Sequence, residues 1–132
     1  MNIGNGASGY GTINAAAFTV SSDVTLKKNI VTLTNPLDKI LGLRGVSFQW
    51  KNDGKKDIGF IAQEVEKTLP ELVHINDTGT KSVEYMNITA VLVEAMKELS
   101  HKYYLHDEKI KKLESENETL KKRLDALEAK MK

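Results

Sequence analysis

Apolar positions recur every seven residues along the last part of this chain. Met96, Tyr103, Ile110, Asn117, Leu124 and Met131 form one column. Leu92, Leu99, His106, Leu113, Leu120 and Leu127 form a second, offset by three and four residues. Taken as the a and d positions of a heptad, they predict a helix from about Asn87 to the end, wound into a left-handed coiled coil. The alternative is one amphipathic helix packed on its own domain, but a helix this long outruns so small a body.

Ahead of the helix the pattern changes twice. From Ser22 to about Tyr85 it predicts a small α+β unit. Asn35-Pro36 before Leu37, Ile40 and Leu41 predicts a short helix capped by Asn35 and ended by Gly42. Val46-Ser47-Phe48-Gln49-Trp50 alternates like a half-buried strand, and the Asn52-Asp53-Gly54 turn leads to a second strand at Ile58-Gly59-Phe60-Ile61. A helix over 62–68 places Val65 and Leu69 on one face, and Pro70 stops it. Leu72 to Ile75 and Ser82 to Tyr85 flank a turn at Asn76 to Gly79 and predict a hairpin. These elements are too few to bury a full core alone, so partner chains are expected to complete it. The stretch from Met1 to Ser21 is different again. Gly4, Gly6, Gly9, Gly11 and Ala15 to Ala17 leave little to pack, so it reads as extended chain or linker, with strand character only at Phe18-Thr19-Val20. The expected organisation is therefore 1–21 extended, 22–86 an α+β body, and 87–132 the long helix.

The flanks of the heptads set direction and number. In a parallel coil a g residue faces the e residue five positions on in the next chain. Those pairs are Lys109 with Glu114, Glu116 with Lys121, and Arg123 with Glu128, all opposite in sign. Each exposed pair is worth only ~0.2–0.5 kcal/mol, so they select register more than they stabilise. Arg123-Leu124-Asp125-Ala126-Leu127-Glu128 is similar to trimeric coiled-coil motifs, in which the arginine stem covers the core. Asn117 at a argues the other way, toward a dimer. A parallel homotrimer is preferred, with Ile110, Leu113, Asn117, Leu120, Arg123, Leu124, Leu127 and Glu128 as its contact residues.

Composition narrows the function. The 132 residues carry a net charge of +1, which disfavours nucleic acid as a partner. There is no cysteine, so disulfides and thiolate metal sites are excluded and cytosolic assembly is favoured. No apolar run reaches membrane-spanning length, and no membrane partner is expected.

Ser21-Ser22-Asp23-Val24-Thr25-Leu26-Lys27-Lys28-Asn29-Ile30 lies where the first two zones meet. By its residues alone it is a polar junction, for which an ordinary turn or helix cap is a sufficient account. Yet Ser22-Asp23-x-x-Leu26-Lys27-x-Asn29-Ile30 resembles the cleavage motif of the intramolecular chaperone domains of phage endosialidases, tail fibres and neck-appendage spikes. Asn35-Pro36-Leu37, Phe48-x-Trp50, and Gly59-Phe60-Ile61-Ala62-Gln63-Glu64-Val65 with Leu69-Pro70-Glu71-Leu72-Val73 follow in the family's order. Val83-x-Tyr85 leading into Ala90 to Leu99 is similar to its closing helix.

That resemblance implies a self-cleaving serine peptidase. Ser22 would be the nucleophile, Lys27 the general base, and Ser21–Ser22 the scissile bond. Asp23, Asn29 and Gln63 would support it, Asp23 by holding the bend or orienting the lysine and Gln63 by donating to the oxyanion. Lys28 is the rival base. A lysine serves as base only when neutral, which burial favours, so cleavage is expected to wait for trimer packing. It also implies a partner, an upstream β-rich fibre or spike of the same chain. Assembly would take place in the host cytoplasm, and the chaperone would be released from the mature tail. The competing expectations are a non-enzymatic trimerisation tail and a receptor-binding tip. No cofactor and no metal are expected. Gly4-Asn5-Gly6-Ala7-Ser8-Gly9 fits a nucleotide-binding pattern but lacks the strand before and helix after it. His74, His101 and His106 lack metal-ligand spacing and are expected to be solvated or stacked, the alternative being that three copies of His106 meet at a trimer axis and bind an ion or anion.

Overall fold

A computed structural model describes residues 16, 17 and 19–132 of the chain. The glycine-rich run from Gly4 to Gly11 and the Phe18 position of the predicted N-terminal strand lie outside the described residues, and Thr19 and Val20 carry no strand. The fold is α+β, with two antiparallel strand pairs, two short helices and one long C-terminal helix. It divides into two compact units, one formed by Met1–Thr32 and Gly45–Gly59, the other by Leu33–Arg44 and Phe60–Lys132.

In the first unit, strands β1 (Val46–Gln49) and β2 (Lys56–Gly59) pair with Val46 opposite Gly59 and Gln49 opposite Lys56. The turn between them needs Gly54, whose φ is +71°. Asp53 accepts from the Lys55 amide at 2.9 Å, and the Trp50 indole donates to Asp57 at 3.1 Å. Phe48 meets Trp50 edge-on with centroids 5.0 Å apart. The second strand ends sooner than its apolar run suggested. Phe60 leaves it because its amide donates to the Tyr85 hydroxyl at 2.8 Å, a partner no strand pattern announces.

The second unit holds the core. Helix α1 (Pro36–Leu41) packs on α3 (Tyr85–Met131), and α2 (Ala62–Thr68) packs on the hairpin of β3 (Val73–Ile75) and β4 (Lys81–Val83). Val65 and Leu69, one turn apart, bury fully against Leu72, Ile88 and Val91. Pro70 lacks an amide to continue α2 and opens a single 3-10 turn, Pro70–Leu72, that delivers β3. The β3–β4 turn is built by Asn76, whose side-chain oxygen accepts from the amides of Thr78 at 3.1 Å and Thr80 at 2.8 Å, with Gly79 at φ +79°.

One expectation about α1 changes and another holds. Asn35 sits in the left-handed region and makes no side-chain cap. The free Leu37 amide instead donates to Glu98 on α3 at 3.2 Å, so a carboxylate sixty-one residues away does the capping. That bond and the ion pair to Lys102 hold the Glu98 carboxyl below its ordinary range, Lys102 being the larger cause. Gly42 ends the helix, and a Cβ there would meet the Thr68 side chain at 3.2 Å, so its small size lets α1 and α2 approach.

α3 starts at Tyr85, two residues before the expected Asn87, and runs unbroken to Met131. Its buried residues are Ile88, Val91 and Ala95, and Glu98 continues that line. They fall at g and c of the heptad. The a and d residues face elsewhere, with Leu92 43%, Met96 63% and Leu99 49% exposed beside the packed stretch itself. Past Glu98 no residue is buried. Among the described residues no helix is long and apolar enough to cross a membrane.

Leu69→Ala removes the largest fully buried side chain of this core. It is expected to lower stability by about 2–5 kcal/mol, read by urea denaturation at fixed protein concentration.

Candidate active site

The segment around Ser22 is organised by one local turn. Asp23 is extended, and its carboxylate accepts from the Thr25 amide at 2.8 Å and the Thr25 hydroxyl at 2.6 Å. This caps the 3-10 turn Val24–Leu26, closed by Leu26 and Lys27 amides donating to the Asp23 and Val24 carbonyls at 3.1 Å each. The turn reverses the chain enough to bring Lys27 back over Ser22. Lys27 Nζ donates to Ser22 Oγ at 2.7 Å. Lys28, the rival base, makes no hydrogen bond to Ser22.

The Thr25 hydroxyl, then the Thr25 amide, hold the Asp23 carboxyl below the usual aspartate range. Asp23 is therefore a charged acceptor spent on the turn, and it makes no bond to Lys27. Thr25 is the residue that sequence reading passed over. Its signal was present as Asp-x-Thr, the spacing of a side-chain-capped turn. Asn29, two residues past Lys27, takes φ +54° and redirects the chain. Gln63 lies exposed in the first turn of α2, in the other compact unit.

Every residue from 19 to 32 is exposed in the single chain. That includes Ser22 and Lys27, and also Val20, Val24, Leu26, Ile30 and Val31, whose apolar side chains are 58–84% exposed. The serine–lysine contact therefore lies in open solvent in the single chain.

The residues expected at the coil interface all lie exposed on α3. Ile110, Leu113, Leu120, Leu124 and Leu127 are 46–58% exposed, and Asn117, Arg123 and Glu128 share that surface. The ion pairs within α3 sit largely away from the seam, as in Lys102 with Glu98, Lys111 with Asp107 and Lys122 with Glu118. Lys109, Glu114, Lys121, Arg123 and Glu128 take no part in them, and Glu116 reaches Lys112 only at 3.9 Å.

Ser22 is also the first residue of a match to a known family. Residues 22–74 match the family described as the chaperone of endosialidase. Similarity extends to phage proteins. The chain is 36% identical over 91 residues to the long tail fiber protein Gp37 of Salmonella phage S16, covering 63% of this chain. It is 35% identical over 100 residues to the proteins of the same name from Enterobacteria phages K3 and T2, covering 69% of it. The chain spans 12% of the length of the first relative and 8% of the other two.

The capped turn gives a pH signature. A carboxyl whose pKa is depressed by folding stabilises its turn above the ordinary aspartate range and loses that contribution as pH falls through the lowered value. The Thr25 amide resonance is expected to titrate with Asp23 at a midpoint below that of an unstructured aspartate, read by NMR.

Proposed function

We propose that this chain is the chaperone segment of a phage tail fibre, which trimerises to set the fibre's register and then releases itself by cutting between Ser21 and Ser22. The observation that carries the cleavage is the 2.7 Å contact between Lys27 Nζ and Ser22 Oγ at the first residue of the matched domain. The relatives named as tail fibre proteins support the context.

The chemistry follows from position. Ser22 lies just after the bond it attacks, so its Oγ reaches the Ser21 carbonyl carbon through a five-membered ring. Lys27 in its neutral form accepts the hydroxyl proton along the same contact. The C–N bond then breaks, the Ser22 nitrogen takes the proton as it leaves, and Ser21 becomes esterified to Ser22 Oγ. Water hydrolyses the ester to a Ser21 carboxylate and the original hydroxyl. Tethering of this kind contributes roughly 7–11 kcal/mol toward the barrier when the geometry is good.

The exposure of the pair supplies the timing. Neighbouring copies that cover Lys27 and its apolar flank of Val24 and Leu26 would favour the neutral amine, so cutting follows assembly. The open a/d seam of α3 supplies the assembly. Three parallel helices bury it, and the e and g charges then meet as Lys109–Glu114, Glu116–Lys121 and Arg123–Glu128. Fibres built on non-local pairing close slowly. A coil that gathers three chains raises their effective concentration to the millimolar range for short flexible tethers. Its removal leaves the fibre without a route back through its registration device.

Incubated at neutral pH, wild-type chain is expected to yield a fragment beginning at Ser22, read by intact mass and N-terminal sequencing. Ser22→Ala abolishes this, and Lys27→Ala slows it by at least about 10²-fold, while both still sediment as trimers. Normal cutting by Lys27→Ala removes Lys27 as base, and an intact wild-type trimer leaves a non-enzymatic trimerisation tail. Leu120→Asp, which puts a charge in the seam, is expected to give monomers that do not cut, checked by sedimentation and mass on the same sample.

A further inference from the structure

His106 stands at a d position of α3, between Tyr103 and Ile110 on the open seam. In one chain it is exposed and has no hydrogen-bond or ion-pair partner, unlike His74, which is bonded to Glu84 at 3.1 Å. Among the described residues of one chain no three metal-ligating groups cluster. The seam changes that count, because a three-fold axis triplicates every d residue. We propose that three His106 imidazoles, one from each chain of the trimer inferred above, form an axial site for a divalent transition-metal ion.

The physical reason is satisfaction of polar atoms. Closing the coil moves both nitrogens of each imidazole into a layer bounded by Tyr103 and Ile110, and buried polar atoms without partners are costly. One ion accepts a lone pair from all three rings at once. Three neutral imidazoles with a fourth position open is a zinc-type donor set, and imidazole suits borderline metals of that class. The charges flanking the layer are Asp107 at e and Lys102 and Lys109 at g. Asp107 is already paired with Lys111 and Lys102 with Glu98. Lys109 meets Glu114 in the proposed register, so no uncompensated cation opposes the metal. Asn117 is about 16 Å further along the axis at 1.5 Å per residue and takes no part.

Calorimetric titration of the full-length trimer with Zn²⁺ is expected to saturate at one ion per three chains, and the melting temperature to rise with Zn²⁺. His106→Leu restores an apolar d residue. It is expected to sediment as a trimer and to lose both effects, whereas His74→Ala and His101→Ala keep them. A trimer that binds no zinc, or whose zinc binding survives His106→Leu, overturns this site alone. A wild-type chain that sediments as a monomer or dimer overturns the trimer first, and the site with it.

Discussion

α3 carries two apolar faces, and one chain can cover only one of them. Ile88, Val91 and Ala95, with Glu98 in the same line, turn toward α1, α2 and the small hairpin. The a and d residues point elsewhere from Leu92 onward and stay open even where the helix lies on its own body. Apolar surface removed from water is worth roughly 25 cal/mol per Å². The mostly apolar a and d columns from Leu92 to Met131, interrupted at His106 and Asn117, are therefore exposed surface whose burial favours association. A helix that used its heptad seam to hold its own domain would leave no such column exposed.

The small body packs on the other face of α3. Six buried apolar residues make its core. Two polar contacts around that core are long-range ones to α3: Glu98 on the Leu37 amide and the Tyr85 hydroxyl on the Phe60 amide. Both tie the entrances of short helices to the long one. In the proposed function this passes the register of the coil to the rest of the chain, because elements pinned to α3 are carried into position when three copies of it align.

The serine–lysine pair follows the opposite logic. It is made within six residues by a single capped turn and needs nothing distant to bring its two atoms together. What it lacks in one chain is shelter. In the proposed function, contact built locally and surroundings supplied by neighbours give an order of events in which the two groups are set early and become competent late. The exposed Val24 and Leu26 beside them are the apolar surface that such shelter would cover.

Features governed by near neighbours were legible in the residues. The heptad columns, the bounds of α2 from Val65, Leu69 and Pro70, and the glycine turns at Gly54 and Gly79 all express periodicity or backbone freedom over a few positions. Ser22 and Lys27 came from a motif read over the same short range. Thr25 was equally local and was missed because Asp23 was read as holding the bend or orienting the lysine, with no partner named for its carboxylate. Tertiary structure alone decided that Glu98 replaces Asn35 as the cap of α1, that the Tyr85 hydroxyl ends β2 by taking the Phe60 amide, and that the c and g face of α3, not its heptad seam, holds the body. Each is a choice among partners far apart in the chain, and such choices leave no periodic trace because they depend on which surfaces meet once every local element has formed.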